Sequence, residues 1–140
     1  MKPIVILLVE DNEGDIVLTK EALNESKIIS TVSVVMDGKA ALDFVFKRGK
    51  FANAETPNLI LLDVNLPLKN GHEVLKEIKS NEITKTIPVI MLTTSSADRD
   101  IKLAYGNHAN CYVTKPIEIG DFLKAIVSIE NFWLSIVQLP

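Results

Sequence analysis

At 140 residues the chain is long enough for one domain with a real hydrophobic core. Its 47% hydrophobic and 24% charged residues are the balance of an ordinary globular protein, and a net charge of −3 with no basic stripe argues against a nucleic-acid partner. The lone cysteine, Cys111, rules out an internal disulfide and suits a reducing compartment.

The N-terminal apolar run, IVILLV at 4–9, stops at Glu10-Asp11 with no small-residue cleavage site after it, so it reads as a buried strand and not a targeting segment. No apolar stretch approaches the roughly 20 residues of a membrane span. The expectation is a cytoplasmic protein. A helical pattern follows over 13–25, with Asn12 as its N-cap and acidic residues in its first turn. TVSVVM (31–36) is the second strand, Met36-Asp37-Gly38 a turn, and GKAALDFVFKRG (38–49) the second helix. NLILL (58–62), a continuous apolar run, is the third strand, and HEVLKEIKS (72–80) the third helix. IPVIMLT (87–93) is the fourth strand, DRDIKLAYG (98–106) a short fourth helix, and NCYVT (110–114) the fifth strand. The last and longest helix runs from Glu118 to about Ile136.

Five strand–helix units in strict alternation predict an α/β fold. It is a doubly wound, five-stranded parallel sheet with helices on both faces, of flavodoxin-like (β/α)5 type, filling the chain as a single domain. In such a fold the site lies at the carboxyl ends of the strands, where the strand order reverses. That placement explains LLDVNLP, 61–67. An unpaired carboxylate inside a buried strand is costly. Asp63 stands where its strand ends, so it projects into the site.

The other strand ends carry matching chemistry. The first ends in Glu10-Asp11, the fourth in Thr93-Thr94, and the fifth in Thr114-Lys115-Pro116. Converging carboxylates repel one another, and a hard divalent cation relieves the conflict. No His or Cys stands among these ends, which disfavours zinc and softer metals. Lys115 offers a mobile point charge and Thr93 a hydroxyl donor. Around one carboxylate, these groups suit a phosphoryl group, with Asp63 as its acceptor.

These residues resemble the receiver domains of two-component response regulators, over essentially the whole chain. The acidic pair Glu10-Asp11, Asp63 in LLDVNLP, Thr93 in MLTTS and Lys115-Pro116 match that family. So do the intervals, 30 residues from 63 to 93 and 22 from 93 to 115. The resemblance implies Asp63 as phosphoacceptor and Mg²⁺ as cofactor. Asp11 would ligate the metal directly, Glu10 through water, and Asn65 through its backbone carbonyl. Thr93 would swing toward the phosphoryl group and Lys115 would pair with it. Tyr112 falls at the family's aromatic switch position, and a cis peptide is implied before Pro116. Single-domain regulators of bacterial phytochrome histidine kinases are similar at the extended FANAETPNLILLDVNLP and at the C-terminal IENFWLSIVQLP. A sensor histidine kinase, with a phytochrome as its sensor, is the partner this implies.

Each residue also has a plainer role open to it. Glu10-Asp11 also suits a helix start, Thr94 and Ser95 also carry hydroxyls, and Tyr112 also suits half-buried packing. His72 and His108 stand at no site strand end and are expected at the solvated surface. Cys111 is expected as a small buried hydrophobe.

No second domain is expected after the last helix, so the output would be a surface change that alters binding to another protein. Apolar positions of that helix, including Phe122, Leu123, Ile126 and Trp133, cover roughly 220° of arc where a core stripe needs about 100°. Either the tail (about 118–140) folds back on the domain, or Phe132 and Trp133 anchor a homodimer.

The leading expectation is a phosphorylation-switched signalling module with at most slow self-dephosphorylation, not a turnover enzyme. A Mg²⁺-dependent phosphohydrolase is a second possibility, but it would want an acid where Asn65 stands. A phosphorylation-independent binding module is a third, disfavoured by the complete acidic set. A flavin-binding domain is a fourth, disfavoured by the acidic loop EDNEGD.

Overall fold

A computed structural model describes residues 3–26, 28–93, 111–115, 118–121 and 124. The elements are β1 (Ile4–Val9), α1 (Glu13–Glu25), β2 (Ser30–Val35), α2 (Gly38–Val45), a 3-10 turn at Gly49–Phe51, β3 (Leu59–Asp63), α3 (Gly71–Lys79), β4 (Val89–Thr93) and β5 (Cys111–Thr114). All strand pairs are parallel, in the order β2-β1-β3-β4-β5. The alternation of the sequence therefore resolves into the expected doubly wound sheet. The order reverses at β1, which has β2 on one side and β3 on the other. The crevice beyond the carboxyl ends of β1 and β3 is the switch point where such folds bind ligands.

Strands β1, β3 and β4 are buried at every position, which is why they read as unbroken apolar runs. Alternation divides their side chains between two cores. Leu7, Val9, Ile60, Leu62, Val89 and Met91 pack with Val74, Leu75 and Ile78 of α3 and with Ala41, Leu42 and Val45 of α2. Ile6, Leu8, Leu59, Leu61, Ile90 and Leu92 pack with Ala22 and Leu23 of α1. The sheet thus has an α1 face and an α2/α3 face.

Helix starts are set by side-chain caps. Asn12 accepts a hydrogen bond from the Asp15 backbone N–H, as expected. Asp37, read from sequence as part of a turn, is the N-cap of α2 and accepts from Ala40 N–H at 2.6 Å. Asn70 and Glu73 form a reciprocal capping box at α3. Helix α2 stops at Val45, short of the expected end at Gly49, because Lys47 takes a left-handed conformation (φ 56°) and breaks the hydrogen-bond ladder. Strand β2 ends at Val35 rather than Met36. The Val35 carbonyl makes the last ladder bond, to Glu10 N–H, and Met36 is 44% exposed.

Cys111 is buried, as expected. His72 departs from expectation, since both ring nitrogens are shielded from solvent where α3 packs on the domain. The expected fourth helix, Thr94, Ser95, His108, the peptide before Pro116, and Phe132 and Trp133 lie outside the described residues. Of the expected last helix, residues 118–121 and 124 are described; 119–121 and 124 are helical, while Glu118, its expected first residue, is not. No helix of the described residues is long and apolar enough to cross a membrane.

Candidate functional site

Sheet alternation and register bring the charged residues together. Leu8 and Val9 of β1 pair with Leu61 and Leu62 of β3, so one further step sets Glu10 opposite Asp63. Glu10 follows Ile6 and Leu8, Asp63 follows Leu59 and Leu61, and Lys115 follows Cys111 and Val113, all residues of the α1 core. A period of two therefore aims all three charged side chains at the α1 side of the sheet's carboxyl edge. Thr93 follows Val89 and Met91, on the opposite face.

The resulting cluster is largely withdrawn from water. Glu10 is 0% exposed, Asp63 3% and Thr93 0%. Lys115 Nζ donates to Glu10 Oε1 at 2.6 Å and to Asp15 Oδ2 at 2.9 Å, and lies 3.4 Å from Asp63 Oδ1. Glu10 Oε2 accepts from the backbone N–H groups of Asp11 (3.1 Å) and Asn12 (3.3 Å), and Asp63 Oδ1 from Asn65 N–H (3.4 Å). The Thr93 carbonyl accepts from Lys115 N–H at 2.7 Å, which locks the ends of β4 and β5 together. Gly71 opens α3 directly against this edge. A Cβ there would stand 2.2 Å from the Asp63 carbonyl oxygen, so only glycine lets α3 start so close.

Electrostatics follow from this burial. Asp63 is pushed up from 3.8 to about 7, first by burial and then by its hydrogen bond to Glu10 and the charge on Glu10; Lys115 and the Asn65 N–H pull the other way. For Lys115, burial works against the charged form. Hydrogen bonds to Glu10 and Asp15 and the charges on Asp63 and Glu10 outweigh it, so the ammonium lies well above the ordinary lysine range.

Carboxylate oxygens of Glu10, Asp11 and Asp63 lie within 4.8 Å of one another. An all-oxygen set is what a hard divalent cation takes. One ammonium faces Glu10, Asp63 and Asp15, with Asp11 beside them, so negative charge is in excess. On both grounds the residues fit a divalent cation.

The chain matches the response regulator receiver domain over residues 6–127. The chain belongs to this family. Response regulator Rcp1 of Synechocystis sp. is 48% identical over 138 residues, spanning 99% of this chain and 94% of that protein. Two solved structures superpose over 99% of both chains. They are the Mn²⁺-bound form of Rcp1 (TM-score 0.80, 48% identity) and the phosphorylated cyanobacterial phytochrome response regulator RcpA (TM-score 0.81, 46% identity).

Within the receiver, Glu10, Asp11, Asp63 and Lys115 come together. Asn65 is exposed on the adjoining loop, its N–H turned to Asp63. Thr93 is buried at the edge of the same site, and Tyr112 is half-buried against the α2/α3 core. Sequence reasoning missed Asp15 as a site residue. Its signal was the fourth acid in EDNEGD, which the Asn12 cap fixes in the first turn of α1, over the α1 face of the sheet.

Proposed function

We propose that Asp63 accepts a phosphoryl group from the phosphohistidine of a sensor histidine kinase, and that the kinase belongs to a phytochrome. The observation that carries the phosphoacceptor role is the convergence of Asp63 with Glu10, Asp11 and Lys115 at the switch point. The phytochrome link rests on the likeness to RcpA over the whole chain.

An Asp63 carboxylate oxygen forms the O–P bond as the donor's P–N bond breaks. The electron pair leaves with the imidazole nitrogen, and the ring is released neutral because its other nitrogen carries a proton. Lys115 holds a phosphoryl oxygen by its point charge, and burial excludes the water that would hydrolyse the product early. Asp11, Asp63, the Asn65 carbonyl and, through water, Glu10 would hold Mg²⁺. When bound, that ion neutralises charge on the phosphoryl oxygens. Thr93 then turns its hydroxyl to the phosphoryl group, and Tyr112 follows into the space released. The altered surface beside β5 is read by another protein, with Phe132 and Trp133 as anchors of a homodimer. Self-dephosphorylation is slow, and the protein works in the cytoplasm as one receiver domain over 1–140. Asn65, in place of a proton-donating acid, weighs against the phosphohydrolase reading.

The test is intact-protein mass after incubation with a small acyl phosphate, with and without Mg²⁺, on wild type and Asp63→Asn. One added phosphoryl group, dependent on Mg²⁺ and absent from Asp63→Asn, is the expected result. Failure to label with both the small donor and a cognate phytochrome kinase would sink it.

A further inference from the structure

The cation and phosphoryl chemistry above leaves one carboxylate of the cluster unused. Asp15 lies in the first turn of α1, where the Asn12 side chain caps its backbone N–H at 2.9 Å. Its Oδ2 accepts from Lys115 Nζ at 2.9 Å, a contact between residues 100 apart in sequence. An ammonium has three N–H donors. Around Lys115 two of them go to Glu10 and Asp15, and Asp63 lies beside the ammonium as an ion pair at 3.4 Å.

Two of those three, Glu10 and Asp63, also belong to the set that fits a divalent cation. Ammonium and cation therefore compete for the same oxygens. The Lys115 side chain is 7% exposed, so an ammonium displaced from Glu10 cannot simply be rehydrated. Asp15 stands outside the cation set, within hydrogen-bond distance, and its side chain is 28% exposed.

We propose that Asp15 is a positioning residue that holds the Lys115 ammonium when a divalent cation takes the oxygens of Glu10 and Asp63, and so strengthens cation binding. This rests on reading Glu10, Asp11 and Asp63 as the cation site. In that role Asp15 also keeps Lys115 beside Asp63, where the phosphoryl group arrives.

The test is Mn²⁺ affinity of the full chain, read from the electron spin resonance of free Mn²⁺. Asp15→Asn is compared with Glu13→Gln, an equal loss of charge at an exposed position of the same helical turn. Asp15→Asn is expected to weaken binding roughly three- to tenfold, the net weight of one hydrogen bond at a partly exposed side chain. Glu13→Gln is expected to weaken it less than about twofold, as for a screened surface charge. Asp15→Glu, which restores the carboxylate, should recover most of the loss. In a Lys115→Met background, Asp15→Asn should do no more than Glu13→Gln, because the two effects run through one contact. Equal effects of Asp15→Asn and Glu13→Gln would overturn the proposal, as would a full Asp15→Asn effect without Lys115. The first comparison stands even if Lys115→Met fails to fold. Asp11→Asn separates the two layers. If it leaves Mn²⁺ affinity unchanged, the cation-site reading itself fails.

Discussion

Tyr112 is registered opposite Met91 in the β4–β5 ladder, and Thr93 stands one pleat further along the same face. The two side chains therefore share the α2/α3 side of the sheet, while Glu10, Asp63 and Lys115 share the α1 side. The Lys115–Thr93 backbone bond joins the two sides at one point. A hydroxyl drawn across the end of β4 would leave room on the face where Tyr112 lies. Thr93→Val keeps the shape and removes the donor. It should still take up a phosphoryl group by mass, yet lose the phosphorylation-dependent shift of labelled Tyr112 resonances. An unchanged tyrosine shift in Thr93→Val would separate the two residues functionally.

Burial of Asp63 predicts how stability depends on pH in chelator-containing buffer. Its folded value, about 7, exceeds the ordinary 3.8 of an exposed aspartate. Between these values the native state binds more protons than the unfolded chain, so stability falls as pH rises. The contribution is fully present below about pH 4 and lost once pH passes 7. Thermal unfolding of wild type should show this decline between pH 5 and 8, and Asp63→Asn should flatten it. Added Mg²⁺ should raise the melting temperature most at the upper end, where Asp63 is ionised.

Lys115 neutralises part of a cluster in which Glu10 is wholly buried. Removing one partner of a buried pair leaves the other's charge uncompensated, at a cost of about 3–5 kcal/mol. Lys115→Met should therefore lower stability to urea at pH 7 by roughly that amount. Glu10→Gln with Lys115→Met should recover much of it. If the double variant is as unstable as the single one, lost packing of the lysine stem is the better account.

Gly71 and Asp63 approach through the backbone. A methyl group at 71 would press on the Asp63 carbonyl oxygen at 2.2 Å, so the start of α3 or the end of β3 must shift. Gly71→Ala should destabilise by about 1–3 kcal/mol and slow phosphoryl uptake in the same mass assay. Full stability with slowed uptake would place the whole effect on the geometry of Asp63.

Leu68, in the loop between β3 and α3, is left-handed (φ 68°) and 76% exposed. Leucine tolerates this backbone poorly, whereas asparagine adopts it readily. Leu68→Asn should raise stability by about 0.5–1 kcal/mol in urea unfolding. Unchanged or lower stability would mean that Leu68 makes contacts that offset its strain.

The sequence alone determined the parallel sheet, because β1, β3 and β4 are buried on both faces and leave unbroken apolar runs with a polar residue at the end. It also marked Glu10, Asp11, Asp63, Thr93 and Lys115, since a polar residue that closes such a run is visible locally. What it left open depends on relations between distant segments. Asp37 as a cap, the early stop of α2 and the shielding of His72 follow from backbone conformation and packing that no local pattern encodes. The division of the site between two faces, and the hold of Asp15 on Lys115, were decided by tertiary structure. Strand register and the packing of α1 bring together charges that lie 100 residues apart in the chain.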